Sequence, residues 1–279
     1  MRIAYLGPAG TFTYTAAEKL KSIEKYQGAH FIGVNDIEDI LYGVNDGLYE
    51  YGVVPVENSI EGSVNTSIDI LLNEVNLQVI YEIVLNINHN LAASEKLLIA
   101  ERVYSHPQAL AQCRMFLKEY YPDIEKISTR STLQSLEYLK EIPENSLAIV
   151  PSFSFQENDI KIIRENIGDY PMNQTRFYLV SKKNQENDPS MKIVKSSISF
   201  QLKDDRPGGL LEIMELFRGK AINLSKIESR PAKNQLGRYI FIIDCEGNLL
   251  AEGNKDIVNS IREKSSRFKL LGAFGKIEA

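Results

Sequence analysis

Short apolar runs alternate with helical repeats along the first two thirds of the chain. The runs have the length of buried strands and fall at residues 3–6, 31–34, 51–56, 103–105 and 147–150. After the second run, Ile37, Ile40, Leu41 and Val44 recur at helical spacing, and similar repeats follow most of the others. This alternation predicts an α/β fold with mainly parallel sheets and helices on both faces.

Polar turns follow several of the predicted strands. They lie at residues 7–13, 57–63, 105–108 and 131–132, and a further one lies at 173–176. Two extended segments, near residues 77–90 and 147–152, are predicted to cross between two lobes. Because ligands in open α/β sheets bind beyond the carboxyl ends of the strands, we expect a site in the cleft between the lobes.

The pattern changes after a polar, proline-containing segment at residues 183–196, which is predicted to be a linker. Beyond it, the apolar spacing predicts strand, helix, two strands, helix and a last strand at 269–274. The order βαββαβ predicts a ferredoxin-like domain over residues 197–279, a fold that by itself implies no function. The two-lobed domain is expected to span residues 1–182.

Composition excludes several classes of partner. The net charge is −5, and the charges are interspersed, which argues against a nucleic-acid partner. No apolar run approaches the roughly 20 residues of a membrane span, so no membrane partner is expected. The two cysteines form no disulfide framework, which favours a cytoplasmic location. The three histidines are scattered, so no metal site is expected.

Five segments, taken together and in order, closely resemble the motifs of the prephenate dehydratases. They are GPAGTF at residues 7–12, VPVENSIEGSV at 54–64, SHPQALAQC at 105–113, ST at 131–132 and NQTRF at 173–177. The C-terminal part resembles the family's ACT regulatory domain in PGGLL at 207–211 and INLSKIESRP at 222–231. The sequence begins at the first dehydratase strand, so we expect a monofunctional form without a fused chorismate mutase.

The resemblance implies a cytoplasmic lyase that converts prephenate to phenylpyruvate, water and CO₂ without a cofactor. Its catalytic domain would have two lobes, like a type II periplasmic binding protein, with the site between them. Thr175 is expected to donate a hydrogen bond to the leaving hydroxyl. Asn58, Ser105 and Gln112 are expected around the substrate, although Gln112 on a helix also fits a solvated face.

Arg176 is expected to bind a substrate carboxylate, because a guanidinium can do so through two hydrogen bonds. In a regular strand, however, Thr175 and Arg176 point to opposite faces, so either the strand bends or one of them is structural. Glu57 is expected to orient Asn58 or Arg176, and His106 either to bind substrate or to cap a helix. The other substrate-binding residues expected from the resemblance are Phe177, Thr11, Ser59, Ser63 and Thr132. Arg130 stands where some relatives have an acid.

The resemblance also implies a regulatory site for L-phenylalanine. Gly208 and Gly209 open a helix and leave room for an amino acid against the backbone. The expected effector-binding residues are Gly208, Gly209, Leu210, Leu211, Asn223 and Leu224, shared between two paired ACT domains of a homodimer or dimer of dimers. Residues 228–230 are expected to support the interface or the coupling between domains. Gly209 replaces a usual alanine, and residues 272–274 replace a Gly-Ser-Tyr pattern.

Two other functions fit the same residues. Arogenate dehydratase differs in accepting an amino group in place of the keto group of the substrate. A non-catalytic binding protein that senses an amino acid is the more remote alternative, because a binder has no need of Thr175 beside Asn58 and Ser105.

Overall fold

The computed structural model describes residues 1–151, 159–182, 191–204, 206–233 and 237–278, with backbone alone for residues 132, 133 and 278. The first elements in chain order are β1 (Arg2–Leu6), α1 (Phe12–Lys19), β2 (His30–Val34), α2 (Ile37–Asn45), β3 (Tyr51–Asn58), β4 (Gly62–Ser63), α3 (Asn65–Asn73) and β5 (Gln78–Asn86). Next come β6 (Asn90–Ser94), β7 (Arg102–Ser105), α4 (Pro107–Gln112), α5 (Arg114–Tyr120), β8 (Glu125–Ser128), α6 (Thr132–Glu141), β9 (Ser146–Val150), β10 (Ile160–Arg164) and β11 (Gln174–Ser181). The last elements are β12 (Lys195–Leu202), α7 (Gly209–Gly219), β13 (Leu224–Pro231), β14 (Tyr239–Glu246), α8 (Lys255–Lys264) and β15 (Ser265–Glu278).

The first lobe is built on the strand order β2-β1-β3-β11-β5. β1 is parallel to β2 and β3, whereas β11 is antiparallel to both β3 and β5. Because β11 runs against β3, it begins at the same edge of the sheet at which β3 ends, and its Thr175 pairs with Asn58. The sheet is therefore mixed rather than mainly parallel, since β11 returns from the other lobe without a crossover helix.

The second lobe has the strand order β10-β6-β9-β7-β8. The chain enters it through residues 87–89 and leaves it through residues 165–173. The prediction of a second crossover near 147–152 is therefore wrong, because β9 pairs with β6 on one side and β7 on the other. Its five buried residues are typical of a central strand covered on both faces.

The two connections between the lobes lie side by side. The backbone N–H of Ile87 donates to the carbonyl of Asn173 at 2.8 Å, and that of Ile167 donates to the carbonyl of His89 at 2.8 Å. The lobes are thus joined at the base of the cleft by two hydrogen-bonded segments of the chain that lie next to each other.

The C-terminal strands form the antiparallel order β13-β14-β12-β15, as a ferredoxin-like βαββαβ unit requires. α7 and α8 bury Ile213, Phe217, Ile257 and Ile261 against this sheet. β12 begins at Lys195, and most of the linker predicted at 183–196 lies outside the described residues.

β15 is much longer than the strand predicted at residues 269–274. Its first part pairs with β12, and its last four residues pair in parallel with Tyr81–Val84 of β5. The C-terminal sheet therefore continues directly into the sheet of the first lobe. At this junction a Cβ on Gly272 would lie 2.4 Å from the Val79 carbonyl oxygen, so only glycine fits. Phe274 packs in a core shared with the first lobe.

Within the described ranges, no helix is both long enough and apolar enough to cross a bilayer.

Candidate active site

A cleft of ≈490 Å³ lies between the two lobes, at the strand edge that the topology predicts. Of the twelve residues expected to contact substrate, eight line this cleft: Thr175, Asn58, Ser105, Gln112, Phe177, Thr11, Ser63 and His106. Arg176, Glu57 and Ser59 lie elsewhere, and the side chain of Thr132 is outside what the structure describes. These eight residues come from four of the five motif segments, and Ser131 of the fifth also lines the cleft.

Thr175 and Asn58 form a bonded pair at the junction of β11 and β3. The Oδ1 atom of Asn58 accepts from the backbone N–H groups of Ile60 and Glu61, at 3.0 and 3.1 Å, which fixes the orientation of the amide. Its Nδ2 atom therefore faces Thr175 and donates to Oγ1 at 2.9 Å. Among the described residues no group accepts the Thr175 hydroxyl proton, so that proton is available to a ligand in the cleft.

A chain of buried amides extends from this pair across the cleft. Asn58 Nδ2 donates to Asn173 Oδ1 at 2.8 Å, and Asn173 Nδ2 donates to Gln112 Oε1 at 2.9 Å. Gln112 Nε2 then donates to Glu61 Oε1 at 2.8 Å, which links the second lobe back to the first. His89 Nε2 contacts the same Gln112 Oε1 at 2.8 Å, and must donate because that oxygen is an acceptor. Gln112 is therefore buried at the centre of the site rather than solvated.

Two histidines line the cleft. Burial lowers the pKa of His89 below 6.5, although its hydrogen bond to Gln112 opposes this. Burial likewise lowers the pKa of His106, against the opposing charge of Glu61. The Nδ1 atom of His106 accepts from the Gln108 N–H at 3.3 Å, so this side chain caps α4 and also lines the cleft.

Arg176 points to the face of β11 opposite Thr175. Its Nη1 atom donates to Glu57 at 2.5 Å, and Nη2 donates to Glu82 at 2.6 Å and to Asp244 at 2.8 Å. Burial works to lower the pKa of this guanidinium, but Tyr178, Asp244 and Glu82 outweigh it and the pKa is raised. Strand alternation turns Arg176 and Glu57 away from the cleft, so the predictions that they bind substrate are wrong for this geometry. The expectation that Glu57 orients Arg176 agrees with their contact.

Ser59 is also misplaced for substrate binding. Its Oγ accepts from the backbone N–H of Gln174 at 2.9 Å and donates to the carbonyl of Met172 at 3.3 Å. This exposed side chain thus ties the turn after β3 to the segment that precedes Thr175.

Arg130 is the one arginine or lysine among the described residues that line the cleft. It precedes Ser131, whose Oγ accepts from Gln134 N–H at 3.2 Å and caps α6. On the opposite wall, Thr11 caps α1 by accepting from Tyr14 N–H at 3.2 Å. The N-termini of α1, α4 and α6 and one guanidinium therefore line the cleft, an arrangement that favours anions.

Sequence reasoning missed two cleft residues, His89 and Glu61. Glu61 lies inside the motif at residues 54–64 but was given no role there, and His89 lies in a connection between lobes that carries no motif. Within the described part of the chain, no group of three His, Cys, Asp or Glu side chains is arranged to hold a metal ion.

A second cavity, of ≈300 Å³, lies at the start of α7 in the C-terminal domain. Four of the six predicted effector residues line it: Gly208, Gly209, Leu210 and Leu211. Asn223 and Leu224 do not, because they follow the far end of α7. The eleven residues of that helix span about 16 Å, so the two groups are separated within one chain.

Comparison with known proteins identifies the family. The sequence model of prephenate dehydratase matches residues 3–185. The chain belongs to the prephenate dehydratase family. This confirms the resemblance inferred from the five motifs.

Relatives of known name agree with the family model over nearly the whole chain. A prephenate dehydratase of Lactococcus lactis subsp. cremoris is 40% identical over 250 residues, covering 89% of this chain and 88% of the relative. Another, from Methanocaldococcus jannaschii, is 40% identical over 276 residues and covers 98% and 97%. The crystal structure of prephenate dehydratase in complex with L-Phe from Arthrobacter aurescens superposes with a TM-score of 0.84 at 30% identity, covering 99% of this chain and 90% of that one.

Proposed function

We propose that this protein is a prephenate dehydratase that converts prephenate to phenylpyruvate, water and CO₂ for the synthesis of L-phenylalanine. The observation that carries the proposal is the Thr175 hydroxyl, held by Asn58 at 2.9 Å with its own proton free in the cleft of a family member. A residue in this position can donate to the hydroxyl that leaves the substrate.

The reaction supplies much of its own driving force, because loss of CO₂ and hydroxide makes the ring aromatic. The protein has to orient the substrate and supply a proton or hydrogen bond to the leaving hydroxyl. It must also avoid binding the departing carboxylate so tightly that the ground state is favoured over the transition state. Neutral donors suit this task, and Thr175 is one of them. The hydrogen bond from Asn58 polarises the hydroxyl and makes it a better donor.

The two carboxylates of prephenate require positive potential, and the orientation of Arg176 removes it from that role. Arg130 and the N-terminal ends of α1 and α6 take its place in our proposal. A guanidinium at the rim together with backbone N–H groups from two walls would hold both carboxylates. Burial lowers the pKa of His89 and of His106, which favours the uncharged form of both side chains.

We also propose that L-phenylalanine binds at the C-terminal cavity and inhibits the enzyme. The Arthrobacter relative was crystallised with L-Phe, and four of the predicted residues line the cavity here. Because α7 separates Gly208 from Asn223 by about 16 Å, one ligand would contact both only between two copies of the chain. This supports a homodimer or a dimer of dimers. Cys113 and Cys245 are both free and buried, which is consistent with a cytoplasmic location.

The activity is tested with purified protein and prephenate, following phenylpyruvate by its absorbance in base. A parallel incubation with arogenate, assayed for phenylalanine, separates the two dehydratases. We expect turnover of prephenate to dominate. Preferred turnover of arogenate would reassign the substrate, and binding of prephenate without turnover would indicate a sensor.

Regulation is tested by titrating L-phenylalanine into the same assay. We expect activity to fall in the wild type and to persist in Gly209→Val, because a side chain at this position projects toward Leu202 within the cavity. An activity and melting temperature that do not respond to L-phenylalanine in the wild type would remove the regulatory proposal.

A further inference from the structure

A cluster of buried and half-buried charges joins the catalytic strands to the C-terminal domain. We call it the ion cluster, and its members are Arg176, Glu57 and Glu82 from the first lobe and Asp244, Lys195 and Lys226 from the C-terminal domain. Lys195 Nζ contacts Glu82 Oε1 at 2.9 Å, and Lys226 Nζ contacts Glu57 Oε2 at 3.2 Å. Arg176 contacts all three carboxylates, so it is the centre of the cluster.

The ion cluster lies directly behind the catalytic pair. In the register of β11 and β3, Thr175 pairs with Asn58 and Arg176 pairs with Glu57. Successive side chains of a strand face opposite sides, so one strand pair carries the reactive hydroxyl on its cleft face and the ion cluster on its other face. A register shift follows immediately, between Arg176 and Phe177. Bulges of this kind twist a strand and re-aim its side chains.

We propose that Arg176 is a positioning residue, and that Asp244 of the C-terminal domain holds it so that the Thr175 hydroxyl points into the cleft. This inference deepens the proposed dehydratase function and rests on it. It makes the C-terminal domain part of the machinery that shapes the catalytic site, in addition to any effector that it binds.

The bonding of Asp244 supports a specific rather than a general role. This side chain is almost completely buried, and Arg176 is its ion-pair partner at 2.8 Å. Its other carboxylate oxygen, Oδ1, meets no donor among the described residues. A buried carboxylate with one partner depends on that partner for compensation of its charge. Loss of the Asp244 charge therefore acts on Arg176 directly, while Glu57 and Glu82 remain to pull the guanidinium toward the first lobe.

The test compares Asp244→Asn with Asp69→Asn. Asp69 is the matched control, because it also pairs with the C-terminal domain, through Arg230 at 2.8 Å and Lys233 at 2.7 Å. It lies on α3, away from the strand pair that carries Thr175. For each purified variant, kcat and KM for prephenate are measured at a temperature well below its measured Tm.

We expect Asp244→Asn to lower kcat about tenfold to a hundredfold with little change in KM, because a small misplacement of a catalytic group costs this much. Asp69→Asn is expected to keep kcat within about twofold of the wild type, since distant sites act independently. Asp244→Glu, which restores the charge, is expected to recover part of kcat. A merely structural role would lower Tm without changing kcat of the folded enzyme.

Tyr178→Phe provides a milder second variant in case Asp244→Asn does not fold. It keeps the ring but removes the hydroxyl that lies 3.1 Å from Arg176 Nη2, and we expect a smaller fall in kcat at unchanged KM. Wild-type kcat in the folded Asp244→Asn protein, or in Tyr178→Phe if that alone folds, would overturn the inference while leaving the dehydratase function intact. A wild-type protein that makes no phenylpyruvate would instead overturn the proposed function and this inference with it.

Discussion

Replacing Thr175 by valine removes the catalytic hydroxyl while keeping the size and branching of the side chain. The structure indicates that the fold tolerates this change. Asn58 Nδ2 has two hydrogens, and without Thr175 it still reaches Asn173 Oδ1 at 2.8 Å and the Gln174 carbonyl at 3.2 Å. No buried donor is left without an acceptor, so the loss of stability should be about 1 kcal/mol. That corresponds to a fall in Tm of about 2–4 °C.

The effect on catalysis should be much larger than the effect on stability. A positioned proton donor contributes roughly 10²–10⁴ to the rate, or about 2.7–5.4 kcal/mol of transition-state free energy. Because Thr175 is not assigned to carboxylate binding, the loss should appear in kcat, and KM should change little. The predicted signature of Thr175→Val is therefore a large fall in kcat together with a small fall in Tm.

The assay follows phenylpyruvate in base, with Thr175→Ser as the matched control. Serine keeps a hydroxyl on the same Cβ, so we expect it to retain most of the activity that valine loses. The reasoning would be refuted if folded Thr175→Val turned over prephenate within about fivefold of the wild type, because a proton donor of this kind contributes at least about a hundredfold.

Three further predictions concern the surroundings of this hydroxyl. Gln112→Leu leaves Asn173 and His89 without the acceptor that they share. Each unsatisfied buried donor should cost about 1–3 kcal/mol of folding free energy, so calorimetry should show a markedly lower Tm. An unchanged Tm would contradict the chain of hydrogen-bonded amides. Arg130→Gln should raise KM for prephenate about tenfold or more with a smaller effect on kcat, whereas an unaltered KM would place the carboxylates elsewhere. Burial lowers the pKa of His106 below 6.5, so the unfolded chain takes up its proton first as the pH falls and the free energy of unfolding decreases below about pH 6.5. His106→Asn, which can still cap α4, should lose less Tm between pH 7.5 and 5.5 than the wild type, and equal losses would count against this origin.

The composition of the site was largely predictable because it sits on turns after strands. Thr175, Asn58 and Ser105 belong to different motifs, and topology brings them together once the strands are ordered. Strand alternation also predicted that Arg176 and Thr175 point to opposite faces of a regular strand. Of its three carboxylate partners, Glu57 was expected from the motif at residues 54–64. Asp244 and Glu82 were not predictable, because Asp244 comes from another domain and Glu82 from a strand without a motif.

The failures in the fold have a common physical origin. The length of β15 depends on its pairing with β5, which is nearly 200 residues earlier in the chain. The spacing of apolar residues within β15 gives no information about so distant a partner. The crossover placed near residues 147–152 failed for a related reason. An apolar run such as residues 147–150 fits a connecting strand or a central strand equally well, and only its neighbours in the sheet decide between them.

The pairing of β15 with β5 also bears on whether the catalytic domain can be produced alone. β5 is hydrogen-bonded to β11 on one side and to the end of β15 on the other. Truncation before β12 would leave β5 as a bare edge strand whose residues 79–85 are almost entirely apolar. Such edges pair with other chains and promote aggregation. A shortened protein would therefore be expected to self-associate through β5, and insolubility of that fragment should not be taken as a loss of regulation.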